Sequence, residues 1–327
     1  MINKPFTLAL VLAAVVLSGQ FSAMAQTPKV FRIGAVSAGA PRSSPHWVAF
    51  GQRLGELGYV EGKNIAIEFR SAEGKPERFP GLIADLIALG VDVILPVGPE
   101  GSLRAAKEAT TAIPIVVVAI DYDPISRGYV SGLARPGGNI TGVFLRQPEL
   151  TAKRIELLKE VVPKVRRVAV FWDTFSTDQL REAEVVARAT GLELQRFQFR
   201  DPPYDLDVPM KAAVRQQAGA LLGLASPIFF RQRTDLAEMA VKHRLPTIAP
   251  FREAAEAGVL MSYGADLPSM LRRAAEYIDR ILKGTKPADL PMEQPTKFEF
   301  VINLKTAKAL GLTIPSSLLL RADYTVQ

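Results

Sequence analysis

The side chains able to do chemistry in this sequence sit mostly just past short apolar runs. Ser37 ends the run 30–36, and Ser43 and Ser44 lie in the loop after it; Gly98 and Glu100 follow 91–97; Asp121 and Tyr122 follow 113–120. Further on, Trp172 and Asp173 close 168–172, Ser226 follows 220–224, Phe251 and Arg252 follow 245–249, and Tyr263 ends 259–263. Hydroxyl donors, aromatic walls and one or two charges are the parts needed to hold a small molecule in a cleft. Asp121 can meet an ammonium group and Arg252 a carboxylate, with Trp172, Tyr122 or Tyr263 stacked on a planar body between them. Plainer readings stand beside these. Ser44 and Ser226 each precede a proline and can spend their hydroxyls capping helices. Gly98 can serve backbone shape alone, and Phe251-Arg252-Glu253 can be hinge packing with a solvated ion pair.

The residue inventory argues against an enzyme. The two histidines, His46 and His243, have no metal-ligand spacing and read as ordinary surface or helix residues. No G-x-S-x-G elbow, cysteine nucleophile or G-x-x-x-x-G-K-[ST] loop occurs, and 34–39 lacks the dinucleotide-binding glycine pattern. Asp121 and Asp123 are adjacent loop acids of the kind usually solvated. No metal or cofactor is expected.

Strands alternating with helices must position these loops. The run 30–36, with Val30, Ile33, Ala35 and Val36 apolar, reads as a strand buried on both faces, and Trp47, Phe50, Leu54 and Leu57 recur at helical spacing behind Ser44-Pro45 until Gly58. Trp47 belongs to that apolar stripe and reads as core. Further strands are expected at 65–69, 91–97, 113–120 and 140–144, with a short helical stretch after Asp121-Tyr122-Asp123-Pro124. The pattern then restarts: a helix over 148–162, a strand at 168–172, and a helix to Ala189 opened by a Ser176/Gln179 capping box. Strands follow at 192–199, 220–224 and 245–249. In the last quarter a helix over 267–282 lies between the strand 259–263 and the proline-punctuated stretch 286–291. It can visit the first layer and return, which is the wiring of a hinge. In such open α/β sheets ligands bind at the carboxyl ends of the strands, where every candidate above lies.

The first 25 residues carry one lysine, Lys4, then the apolar run 6–17 and a small-residue end, Ala23-Met24-Ala25. That order reads as a secretory signal cleaved after Ala25. The sequence has no cysteine, so an exported product must rest on a large apolar core, which 48% hydrophobic residues can build. The net charge of +7, or +6 without Lys4, suits a mild attraction for anions. Basic residues alternate with acids along the helices and no nucleic-acid-binding signature appears, so nucleic acid is not an expected partner.

Five stretches carry a resemblance: Gly55-Glu56-Leu57-Gly58-Tyr59-Val60-Glu61-Gly62-Lys63-Asn64-Ile65; Ala134-Arg135-Pro136-Gly137-Gly138-Asn139-Ile140-Thr141-Gly142; Gly258-Val259-Leu260-Met261-Ser262-Tyr263-Gly264; Leu290-Pro291-Met292-Glu293-Gln294-Pro295-Thr296-Lys297-Phe298-Glu299; and Asn303-Leu304-Lys305-Thr306-Ala307. Together, in order, they resemble the ABC transporter substrate-binding proteins of the tryptophan/tyrosine-type group, on the type I periplasmic binding protein fold. The resemblance implies an α/β protein of two doubly wound, Rossmann-like lobes joined by a three-segment hinge. It places residues 28–144 with 264–289 in the N-terminal lobe, and 145–263 with 290–327 in the C-terminal lobe. It further implies a monomer in the periplasm that captures a small molecule, amino-acid-like or a small organic anion, and delivers it to an inner-membrane ABC permease. A ligand sensor presenting its closed form to a membrane receptor kinase is the alternative. Where relatives have Gly-Asp-Pro after the fourth strand, this chain has Asp121-Tyr122-Asp123-Pro124, which sets a phenol and a further carboxylate at the cleft edge.

Overall fold

A computed structural model describes residues 29–327, so the expected signal segment lies outside the described residues. The chain first builds β1 (Phe31–Ser37), α1 (Pro45–Glu56), β2 (Ile65–Ser71), α2 (Phe79–Ala88), β3 (Val93–Gly98), α3 (Glu100–Ala109), β4 (Ile115–Ile120) and β5 (Ile140–Leu145). These strands form one parallel sheet in the order β2-β1-β3-β4-β5. The first strand is therefore interior, and its alternate side chains feed two cores. Ile33 and Ala35 pack toward α1, whereas Val36 packs toward α2 and α3. Trp47 lies in the first of these cores, edge-on to Phe50 and Phe69.

The second lobe holds α4 (Gln147–Val161), β6 (Arg167–Trp172), α5 (Thr177–Thr190), β7 (Glu193–Gln198), α6 (Asp207–Arg215), β8 (Ala220–Gly223), α7 (Pro227–Arg231), α8 (Arg233–Lys242), β9 (Thr247–Ala249), α9 (Arg252–Glu256) and β10 (Met261–Ala265). Its strands repeat the first lobe's order as β7-β6-β8-β9-β10. The chain then sends α10 (Leu267–Leu282) back to the first lobe. It returns through β11 (Phe298–Asn303), α11 (Leu304–Ala309), α12 (Ser316–Arg321) and β12 (Tyr324–Val326), which extend the second sheet with β11 antiparallel to β10. No helix among the described residues is long and apolar enough to cross a membrane.

Helix α10 makes the two lobes one molecule. Met270, Leu271, Ala274, Ala275 and Ile278 recur at helical spacing and are buried in the same core as Trp47, Phe50 and Leu54 of α1. Across that seam Arg53 meets Glu276 at 2.9 Å, Arg272 meets Glu56 at 2.7 Å, and Tyr59 Oη lies 3.1 Å from Asp279 Oδ1.

The chain changes lobes three times, and two crossings differ from expectation. Gly264 and Ala265 pair with Glu299 and Phe298 in the second sheet, so β10 continues past Tyr263. The stretch after α10 stays with the first lobe beyond residue 289: Leu290 and Met292 are buried in its cores, and the backbone of Glu293 is bonded to both Gly142 and Phe144. The second and third crossings thus lie at Asp266 and over 294–297, tied by the Lys297–Asp266 ion pair at 2.6 Å. The segment after Asp121 also differs, forming turns rather than a helix. There the Asp123 carboxylate accepts from Ile125 N–H at 2.8 Å, and a turn-forming aspartate competes with helix.

Candidate functional site

The carboxyl ends of the parallel strands in both sheets face each other and enclose a cavity of about 70 Å³. The first lobe contributes Ser37 to Ala40 after β1, Val97 to Pro99 at β3, Ile120 and Asp121 at β4, and His46 from the first turn of α1. The second contributes Phe175 after β6, Ala225 to Pro227 after β8, Phe230 of α7 and Phe251 after β9; Leu267, just past the second crossing, completes the wall. A cavity of this size holds several waters or a compact ligand.

The walls are mostly apolar, so the few polar groups decide what fits. Asp121 has φ of 76°, in the left-handed region, and its N–H donates to Leu145 O at 3.0 Å. Aspartate tolerates this conformation better than most residues, and such strain gathers at functional sites. One carboxylate oxygen, Oδ2, accepts from Gln179 Nε2 of the opposite lobe at 2.7 Å. The other, Oδ1, is buried without a hydrogen-bond partner among the described residues. Burial pushes the Asp121 carboxyl well above the usual range, opposed by the Gln179 bond. A cation at Oδ1 would reverse that shift.

His46 is 4% exposed, and its Nδ1 also lacks a partner. Burial, with Arg233 nearby, holds its pKa down to about 4, so the ring is neutral at pH 7. Its edge faces Phe230 across the cleft with ring centroids 5.6 Å apart. The reading of His46 as an ordinary surface or helix residue is thus corrected: proline at the helix start and a cavity beside that turn put the ring inside.

Of the expected site residues, Ser37, Gly98, Asp121, Ser226 and Phe251 line the cavity. Ser37 Oγ donates to Ala40 O at 2.8 Å, and Ser226 Oγ donates to Asp173 while accepting from Ile228 N–H at 3.0 Å. Both hydroxyls therefore shape the wall. Gly98 has φ of 126°, and a Cβ there would lie 3.1 Å from Ala38 Cβ, so its backbone turn needs glycine.

The others lie elsewhere. Ser43 is exposed, and Ser44 is buried at the start of α1 without a side-chain capping bond. Glu100 borders a neighbouring polar groove, accepting from Tyr129 Oη at 2.9 Å and pairing with Arg127 at 3.5 Å. Tyr122 also borders that groove while its ring packs in the first lobe's core beside Tyr129. Asp173 is 1% exposed and binds the hydroxyls of Ser226 and Tyr204 and the N–H of Phe175, a scaffold for the loop. Trp172 and Tyr263 pack against the second lobe's core, Tyr263 stacked on Phe298. Neither ring meets the cavity, because strand alternation turns both toward the α4 face.

The pairing of Asp121 with Arg252 as a two-ended clamp is also corrected. Arg252 opens α9 outside the cavity, bonded to Glu256 at 2.7 Å, 3.7 Å from Glu299, and over the Tyr324 ring at 4.6 Å. One position past Phe251, it points away from the wall that Phe251 forms.

Gln179 was not among the expected site residues; its place three residues after Ser176 suggested a capping box. The capping box belongs instead to Asp173 and Ser176, which cap the short turn before α5. Gln179 is wholly buried, its Oε1 accepting from Ala225 N–H at 2.8 Å and its Nε2 reaching both Ala225 O and Asp121. At the rim, Arg127 of the first lobe meets Asp178 of the second at 2.9 Å. These contacts close the lobes on one another.

Comparison with known proteins agrees with this architecture. A tyrosine-binding protein of Clostridioides difficile (strain R20291) is 25% identical over 268 residues, 80% of this chain and 75% of that protein. An ABC domain from Streptococcus pneumonia solved in complex with L-Trp overlays with a TM-score of 0.79 at 24% identity, covering 91% of this chain and 100% of that one. The ligand-free, open structure of a Clostridium difficile substrate binding protein with adhesive properties gives 0.63 at 23% identity, over the same shares of both chains. Residues 49–326, nearly all of the two lobes and their hinge, match the ABC transporter substrate binding protein family, and the chain belongs to that family.

Proposed function

We propose that this protein is the exported binding component of an ABC importer. It captures a small solute bearing one positive charge and a compact apolar body, closes over it, and presents the closed form to an inner-membrane permease without changing the solute chemically. The observation that carries this reading is the unpartnered Asp121 Oδ1, buried at a largely apolar cavity between two lobes. A buried carboxylate oxygen without a donor is costly, and a ligand ammonium removes that cost. Among the described residues no lysine or arginine lines the cavity. An acidic or carbonyl end of the ligand would therefore meet neutral groups, among them the His46 ring with its unpartnered Nδ1. An amino-acid-like ligand fits that arrangement. The tyrosine-binding and L-Trp-complexed relatives support it, and the better overlay on the complex than on the open structure supports a closed arrangement of the lobes.

A thermal-shift screen against amino acids, their deaminated acids, nucleosides and small organic anions, followed by calorimetry, tests the reading. A ligand at a hundredfold its Kd should stabilise the protein by about 2.7 kcal/mol. Tight binding confined to anions without a cationic group, or conversion of the bound compound to a product, would overturn it.

A further inference from the structure

We propose that Gln179 is the positioning residue for Asp121: anchored in the second lobe, it fixes one carboxylate oxygen so that the other is aimed at the ligand only when the lobes are closed. The inference rests on the reading above, in which the Asp121 carboxylate meets a cation. Gln179 stands on α5 and Asp121 at the end of β4, so their 2.7 Å bond crosses the cleft. The amide is not free to choose its orientation. Ala225 N–H donates to Oε1 at 2.8 Å and Ala225 O accepts from Nε2 at 3.1 Å, and turning the amide over would set two acceptors face to face and two donors face to face. Its second Nε2 hydrogen is therefore held toward the first lobe before any ligand arrives. When the lobes meet, Asp121 Oδ2 takes that hydrogen and Oδ1 is left unpartnered at the cavity.

The arrangement makes ligand charge and closure support each other. A hydrogen bond to an ionised carboxylate is roughly twice as strong as one to a neutral acid. In the closed cleft, burial and the neighbouring Asp178 and Asp173 work against the ionised form, with Arg154 favouring it. A cation at Oδ1 keeps the carboxylate charged and so strengthens the bond that holds the lobes together. A solute of similar shape without the cation leaves that bond weak. Gln179 thereby sharpens discrimination for a charge it never touches.

The test compares L-tyrosine with its deaminated counterpart, 3-(4-hydroxyphenyl)propanoate, by calorimetry on the purified protein and on Gln179→Leu. The wild type should prefer L-tyrosine. In Gln179→Leu the ratio of the two Kd values should fall about tenfold, through weaker L-tyrosine binding, with the Kd of the deaminated acid little changed. Equal weakening of both compounds means Gln179 only shapes the loop, and the inference fails while the reading of the cavity stands. No L-tyrosine preference in the wild type sinks that reading and the inference with it. Should Gln179→Leu not fold, Gln179→Glu replaces it. The glutamate keeps an acceptor for Ala225 N–H, and once protonated it has one hydrogen in place of the amide's two to offer Asp121 and Ala225 O, so part of its L-tyrosine preference should return as pH falls from 8 to 5.5. A ratio equal to the wild type's at both pH values overturns the inference.

Discussion

Asp121 carries two consequences that a single substitution can separate. Asparagine keeps an acceptor for Gln179 but removes the charge at the cavity, so Asp121→Asn should weaken a cationic ligand by about 2 kcal/mol, roughly thirtyfold in Kd, while leaving melting of the ligand-free protein nearly unchanged. Calorimetry and a melting curve check both halves. Arg252→Ala should change Kd less than twofold, since its guanidinium is spent on Glu256 and Glu299 outside the cavity. A tenfold loss there would restore the two-ended clamp. What could be read from the sequence at this scale follows from strand order. The carboxyl-end rule located Ser37, Gly98, Asp121, Ser226 and Phe251, because it depends only on where each strand stops. It could not say which way the side chain after a strand turns, and so misplaced Trp172, Tyr263 and Arg252. His46 and Gln179 lie on helices, where local sequence offers a sufficient helical role and no sign of the lobe opposite.

Among the elements, α10 and the crossing before it are the most exacting. Leu271 is wholly buried where α10 meets α1 and β4, so Leu271→Ala should cost about 3 kcal/mol, seen as a lower urea midpoint with unchanged slope. Gly264 lies two residues from the second crossing, and a Cβ on it would stand 2.0 Å from Pro250 O. Backbone has to give there, so Gly264→Ala should destabilise by about 2 kcal/mol or more, measurable in the same titration. The helix pattern of 267–282 was legible as a visit to the first lobe because extended segments flank it on both sides. The crossings themselves were not. The second depends on Gly264 and Ala265 pairing with β11, and the third on Leu290 and Met292 being buried far from their sequence neighbours. Both are long-range facts that periodicity does not encode. The final strand β12 is three residues long, too short for alternation to show.

For the molecule as a whole, closure buries groups that water would otherwise solvate, and His46 gives that cost a pH dependence. Its pKa is held down from 6.5 to about 4 by burial first and by Arg233 of the opposite lobe second, and Phe230 of that lobe covers its edge, so opening the lobes should let the ring hold its proton more tightly. The closed form is therefore favoured fully above pH 6.5 and loses that advantage as pH falls toward 4, with about 3 kcal/mol as the ceiling of the penalty. Asp121 acts in the same direction on the binding of a cation: burial raises its carboxyl in the empty cleft and a bound cation lowers it again, so binding releases a proton and weakens as pH falls through that raised range. Affinity for a cationic ligand should consequently drop by up to tenfold per pH unit between 6 and 4.5, measured by calorimetry in buffers of constant ionic strength. In His46→Gln, which keeps a neutral polar group beside Phe230 without the imidazole titration, the profile should be shallower over that range, keeping only the part set by Asp121. A wild-type profile no steeper than the variant's would mean that the imidazole stays hydrated in the bound state and that closure excludes less water than the contacts across the cleft imply.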